Sequence, residues 1–372
     1  EDTLSDRLHE ELTKSFIDKK ISILARGLKQ DIILKTEVSD DHKVLIDKQY
    51  VGELKGLKFI IDFTSKNLDV DLKSIKKAAR KGVEKELVKR AKNIIKEKNL
   101  SIDLENKIVW QNNPIAKIKK GENYLNPEIE IISDDSLPLD EKKELEECLK
   151  KWIDTHINEV LGDLINLSKI KIENQYLRAL SYQLYENNGV LKRKNIDEIT
   201  KLISKEERKK LWGMGIKIGR YHVFLPKMLK PKAVMLRTAL WKIYYNITSN
   251  LNIPKFGLNF VINNNYNEKF LLLCGFERFK DYFIRIDILE KLFLNIIDTT
   301  VDKEFKISPE MMNLLGCTKE NFIQLMTLMN YKKSKDTDTY YFSQDNKRNK
   351  ERKMTNKVKT GPFSKLLALN IK

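Results

Sequence analysis

Between Leu211 and Leu240 the chain places Gly213, Gly215 and Gly219 within seven residues, runs through Tyr221-His222-Val223-Phe224-Leu225, and then meets Pro226-Lys227 and Lys230-Pro231. Few local shapes satisfy such a run. Glycine ends a helix and accepts the positive φ of a tight turn, alternation suits a short strand, and proline suits the first position of a new helix. The expected order is helix, hairpin, helix.

The flanking residues extend that order. Residues 175–187 are periodic as a helix closed by Asn188-Gly189, and Val190-Leu191-Lys192 reads as a short strand. Asn195 can cap a helix over 196–203, and Ser204-Lys205-Glu206-Glu207 has the capping-box spacing for a helix through Leu211. With a hairpin over 216–225 the sum is helix, strand, helix, helix, strand, strand, the order of a winged helix. The same order recurs near the C-terminus. A helix over 287–297 is followed by Phe305-Lys306-Ile307 as a strand, a helix opened by Ser308-Pro309 and stopped by Gly316, and a helix capped by Thr318. A wing made of Tyr331-Lys332-Lys333 and Tyr340-Tyr341-Phe342 closes it. Between the two modules, 231–248 reads as a helix and 252–267 as loop and strand.

Upstream lies an internal repeat. The run from Val44 to Lys55 aligns without gaps to Ile108–Lys119, an offset of 64. Both read as strand, turn, strand, each preceded by a strand and a polar turn, followed by another apolar alternation and then a long helix (72–95 and 140–167). His156 lies on or beside the apolar stripe of the second of these helices, where a packed histidine is the plain reading. Residues 4–29 carry one helical stripe that needs a partner, and with Glu1 in first place the chain reads as a piece of a longer protein.

The expected fold is therefore α+β: a linking helix (1–30), a duplicated β-rich region with each unit closed by a helix (31–168, repeats 31–97 and 98–168), and two winged-helix-like modules (169–250 and 251–343). A basic tail (344–372) follows, ending in an apolar docking peptide. No apolar run approaches the ~20 residues of a membrane span and no signal-peptide layout is present, so a soluble, cytoplasmic protein without a membrane partner is expected. Cys148, Cys274 and Cys317 are far apart and form no CxxC, which argues against structural zinc and a disulfide framework.

Seventy Lys and Arg against 53 Asp and Glu leave a formal charge of +17, which points to a polyanion, most simply nucleic acid. An AT-rich genome would also enrich lysine, so charge alone does not decide. There is no GxxxxGK[ST] loop, the histidines are scattered, and no Ser/His/Asp or Cys/His set is evident. Asp40-Asp41 and Asp134-Asp135 read as turn formers. No catalytic residue, metal site or cofactor is expected in this chain. The better lead is the set Lys217, Arg220, Tyr221, His222, Lys227, Lys230, Lys232 and Arg237 around the first wing, with Lys332 and Lys333 on the second. Cations there could neutralise phosphates, and Tyr221 or His222 could stack on an unpaired base. Strand alternation offers the competing reading, in which one of those two faces is buried.

The segments Leu8–Lys20, Gly215–Pro226, Leu229-Lys230-Pro231, Leu314-Leu315-Gly316-Cys317 and Pro362-Phe363 together resemble the C-terminal half of alphaproteobacterial superfamily 2 helicases similar to the mitochondrial degradosome RNA helicase. The G-x-x-x-G-x-x-x-V-F-L-P run is the most specific part. The resemblance implies that ATP and Mg bind motor domains outside this chain, and that this region is the nucleic-acid-binding accessory part of an ATP-dependent hydrolase. RNA or DNA, single-stranded, would be its substrate, with its own motor domains as neighbours. The alternative is a scaffold that docks a nuclease or ribosomal partner.

Overall fold

In the computed structural model the described residues are 7, 36–39, 41–46, 48–61, 69–97, 99–103, 105–169, 174–247, 251–262, 267–334 and 338–343. The expected N-terminal helix, but for residue 7, and the basic tail with its docking peptide lie outside them. Among the described residues the chain is mixed α+β, with ten α-helices and five small antiparallel sheets. It packs as two compact units, one of residues 1–160 with 239–248, the other of 161–238 with 249–372.

The first unit opens with a four-stranded meander, β1 (Thr36–Val38), β2 (Lys43–Ile46), β3 (Gln49–Lys55) and β4 (Lys58–Ile61). Helix α1 (Asp69–Glu97) follows and packs on β1 and β2. A second meander of the same order comes next, β5 (Ser101–Ile102), β6 (Lys107–Trp110), β7 (Asn113–Asn123) and β8 (Asn126–Ile131), then α2 (Leu139–Lys169). The offset seen in the sequence is present in the ladders. Leu45 pairs Tyr50 as Val109 pairs Pro114, and both ladders shift register just after Val44 and Ile108. His42 and Asn106 take up left-handed backbone at φ 66 and 61, and Lys48 and Asn112 both at φ 62, so the two tight turns are built alike. The last hairpin breaks the pattern, since the arm from Ala116 to Ile131 is six residues longer than that from Gly52 to Ile61.

Each helix buries the stripe that its spacing foretells. In α1 it is Ala79, Val83, Leu87, Ala91 and Ile94, and in α2 Leu145, Leu149, Ile153 and Ile157. One cation enters the first core: Arg90, 4% exposed, donates to Leu54 O at 3.0 Å and Gly56 O at 2.9 Å and meets His42 Nδ1 at 2.7 Å. Those contacts satisfy carbonyls at a β-turn and tie α1 to it. His156 is half-buried and stacked on Trp152, with ring centroids 5.5 Å apart. Helix α2 departs from helical dihedrals at Leu161 (φ −112, ψ 18), the residue at which the second unit begins.

In the second unit α3 (Gln175–Glu186) leads to β9 (Val190–Lys192), α4 (Asp197–Leu202), α5 (Lys205–Gly213), β10 (Lys217–Ile218) and β11 (His222–Phe224). The sheet order is β10-β11-β9, so the strand between the helices pairs with the last strand. Ser204 and Glu207 close a reciprocal capping box on α5. Asn195, expected as a cap, instead ends a 3-10 turn, and Ile196 holds the cap position of α4. Helix α6 (Pro231–Tyr244) stops four residues short of the expected end.

The same path recurs in α8 (Ile286–Thr299), β15 (Glu304–Phe305), α9 (Pro309–Leu315), α10 (Lys319–Leu328), β16 (Tyr331–Lys333) and β17 (Tyr340–Phe342), again with sheet order β15-β17-β16. Gly316 ends α9 in the left-handed conformation (φ 68). The core here includes Leu289, Leu292, Ile296, Met311, Phe322 and Leu325. Before it comes the strand expected within 252–267, β12 (Phe260–Ile262), with elements the sequence did not announce: α7 (Glu268–Leu273), β13 (Phe276–Phe279) and β14 (Tyr282–Arg285), the sheet order being β12-β14-β13.

Candidate nucleic-acid interface

The glycine-rich stretch forms the hairpin expected of it, and its tip is occupied by a carboxylate from α8. The backbone N–H groups of Arg220, Tyr221 and His222 all donate to Glu290, at 2.6, 2.8 and 3.0 Å. Convergent N–H groups of this kind make an anion site, and here the anion is the protein's own, only 3% exposed. Gly219 is needed for approach rather than for backbone angle: a Cβ there would overlap the Glu290 carboxylate. The positive φ lies at Gly215 instead (φ 82).

His222, 1% exposed, completes the arrangement. Its Nε2 meets Glu277 Oε2 at 2.8 Å, while Nδ1 lies 3.9 Å from Glu290 Oε1, near enough to feel the charge. Burial alone pulls the imidazole pKa down, but the Glu277 hydrogen bond and the Glu290 carboxylate outweigh it and hold His222 above its ordinary value. Burial likewise pushes Glu277 and Glu290 up, and His222 wins in the other direction, helped by Lys192 at Glu277 and by the backbone donors at Glu290, so both carboxyls sit below their usual range. Lys192 bridges Glu277 and Glu268, each at 2.8 Å. The set ties the first hairpin to β13 and α8.

These positions correct two of the expected contact residues and limit a third. His222 is buried between two carboxylates, and Arg237 is fully buried, donating to the carbonyls of Asn188, Met228 (2.5 Å) and Leu273 (2.9 Å). Both guanidinium and imidazole serve packing, because desolvated cations need partners and these have them inside. Tyr221 is half-buried, edge-on to Phe293 at 5.8 Å, and burial together with the Tyr331 hydroxyl raises its phenol pKa. The ring borders an open groove that Phe293 and Tyr331 also line.

The remaining cations are spread over several surfaces. Arg220 is exposed with its guanidinium 5.5 Å from the Phe293 ring centre, and Lys217 lies 5.9 Å from that of Phe224. Lys227, exposed, pairs with Asp163 at 3.1 Å and lines the same cleft as Lys217. Lys230 and Lys232 are exposed around the start of α6, Lys332 and Lys333 are exposed on β16, and Lys333 pairs with Asp338 at 2.6 Å. Arg285 is held by Asp287 at 2.6 Å.

A more compact basic face was overlooked. Lys205, Arg208, Lys209 and Trp212 stand at i, i+3, i+4 and i+7 on α5, so they share one side of the helix, and all four are exposed. Leu211 faces inward and is fully buried. The signal was available: once the capping box fixes where α5 begins, helical spacing alone separates Leu211 from this stripe.

Among the described residues no group of three His, Cys, Asp or Glu is placed to hold a metal, and no helix is long and apolar enough to cross a membrane. Comparison with family models, with curated proteins and with solved structures finds no match to this chain.

Proposed function

We propose that this chain is the nucleic-acid-engaging accessory region of an ATP-dependent helicase, built from duplicated β-rich units and two winged-helix-like modules. ATP and Mg would belong to motor domains outside it. The observation that carries nucleic-acid binding is the basic stripe of α5. It lies on the second of the two consecutive helices, the element that helix-turn-helix proteins lay against nucleic acid. The formal charge of +17 supports the same reading. The helicase context rests on the sequence resemblance, whose most specific run, Gly215–Pro226, includes residues 219–222 that also pack around Glu290.

The test is fluorescence anisotropy of the chain with single-stranded RNA, single-stranded DNA and duplex across a salt series. Phosphate contacts release counterions, so affinity should fall steeply as salt rises. Absent binding at low salt would overturn the reading.

One observation favours a protein-docking scaffold beside it. Leu294 (51% exposed) and Ile297 (50%) on α8, with Val301 (72%) just past its end, form an apolar strip. Ile297 also lines an open groove of about 420 Å³ with Phe293 and Phe342. Exposed contiguous apolar surface of this kind marks protein contacts, and a nuclease or ribosomal partner is the corresponding candidate.

A further inference from the structure

Trp212 is the last large side chain of α5, and 67% of it is exposed. An indole left this wet on a helix whose other stripe members are all cations needs an explanation that packing does not give. It rims an open cleft of about 550 Å³, a volume within the range of small-molecule sites. The other walls include Asp163, Asn166, Gly213, Lys217 and Lys227.

We infer that this cleft holds one unpaired nucleobase, stacked on the Trp212 indole, of a strand whose phosphates run along the basic stripe of α5. The inference rests on the nucleic-acid reading above and adds to it a base-binding site. Three features carry it. Stacking needs a flat aromatic face open to solvent, and every base has a π-face to offer. Access needs space beside the ring: a Cβ built on Gly213 would meet nothing within 4 Å, so the approach is clear. Polar edges need partners, and the cleft supplies the Asn166 amide, which can both donate and accept, and the Asp163 carboxylate, which accepts.

Charge is arranged for a strand rather than for a free base. Lys205 to Trp212 spans about 10 Å of helix at ~1.5 Å per residue, with Arg208 and Lys209 between. Lys217 also lines the cleft, and Lys227 is paired with Asp163 at 3.1 Å, an exposed contact that an arriving phosphate can displace. In a duplex both faces of an internal base are covered by neighbours, so the cleft selects unpaired nucleotides. RNA and DNA offer the same face and are separated only by experiment.

The test uses the full chain with equal-length single-stranded RNA, single-stranded DNA and blunt duplex, reading anisotropy and tryptophan fluorescence together. The expected results are quenching of wild-type fluorescence by a single strand but not by duplex, and a loss of single-strand affinity in Trp212→Ala of about 5- to 100-fold with duplex binding little changed. Trp212→Phe should retain most of the affinity while losing the quench. Gly213→Leu, which fills the cleft at a site with room for a side chain, should weaken single-strand binding with an unchanged melting temperature. Single-strand affinity equal to wild type in both Trp212→Ala and Gly213→Leu, when the wild type binds steeply with salt, would remove the site and leave the general reading intact. No nucleic-acid binding by the wild type at low salt would overturn both, and binding of a protein through Trp212 would then assign the cleft to an interface.

Discussion

The two modules of the second unit follow one chain path and treat their last hairpins, the wings, in opposite ways. In the first, Glu290 takes the backbone N–H groups at the tip of β10–β11 and Tyr221 packs on Phe293, so that the tip keeps only the exposed side chain of Arg220 and the compact basic face lies on helix α5. In the second, β16 leaves Lys332 and Lys333 exposed on its wing, while the equivalent helix α10 carries one exposed cation, Lys319, at its start. At the first wing α8 supplies the carboxylate that fills the N–H groups of the tip, which would otherwise be open to an anionic ligand. A repeated topology therefore does not imply a repeated binding face.

Breaking that contact should give the largest effect. Glu290→Ala leaves three N–H groups, that of His222 buried and the other two partly so, without their acceptor, and His222 with one carboxylate instead of two. The expected loss is about 3–5 kcal/mol of unfolding free energy, measured by urea titration. Gly219→Ala reaches the same place from the other side, since its Cβ would overlap Glu290, and about 1–3 kcal/mol is expected. Substituting Lys333, whose ion pair with Asp338 is in water, should leave the urea midpoint where it was. Equal losses in the two wings would refute the contrast drawn between them.

The clasp should also leave a signature in pH. His222 titrates above its ordinary value in the fold, so its contribution is fully present below about pH 6.5 and is lost as pH rises through the raised pKa. Glu277 and Glu290 titrate below theirs, so their contribution is present above about pH 4.5 and is lost as pH falls through the lowered values. Stability should therefore peak between these limits and decline on both sides. In His222→Gln the decline on the alkaline side should disappear, and a urea midpoint series against pH would show whether it does.

Much of the path of the second unit was legible because its punctuation is local. Ser204 and Glu207 cap α5 across three residues, Gly316 stops α9, and Pro231 opens α6. The hairpin β13–β14 escaped because its turn uses Lys280 at φ 55, a residue with no preference that advertises left-handed backbone. The site was harder to read for a different reason. His222 and Arg237 look like surface cations in a basic run, and the groups that internalise them, Glu277, Glu290 and the carbonyls of Asn188 and Leu273, lie 36 to 68 residues away. Trp212 and its stripe follow from the phase of α5 that the Ser204–Glu207 capping box sets, which the glycines after it obscure.

On nucleic acid, the contrast between modules becomes a contrast in salt dependence. Replacing Lys205, Arg208 and Lys209 together by alanine should weaken single-strand binding and flatten the slope of log affinity against log salt by about 2, at ~0.7 per lost phosphate contact. Replacing Lys332 and Lys333 should flatten it by about 1 or less. A larger loss from the second pair would transfer the main face to the second wing.

Arg220 gives the smallest effect and the sharpest discrimination, because it is an exposed cation at the tip of the first wing and belongs to the most conspicuous motif in the chain. If that wing met phosphate, Arg220→Ala would lower affinity and the salt slope as a stripe residue does. The clasp leads to a different result. Glu290 takes the backbone N–H of residue 220, which alanine retains, and the guanidinium lies over Phe293, so the side chain contributes chiefly a cation–π contact. Arg220→Ala should therefore cost about 0.5–1 kcal/mol of stability and leave single-strand affinity and its salt slope at the wild-type values. Anisotropy and urea unfolding on the same preparation separate the two outcomes, since a phosphate ligand moves the first and a clasped wing only the second.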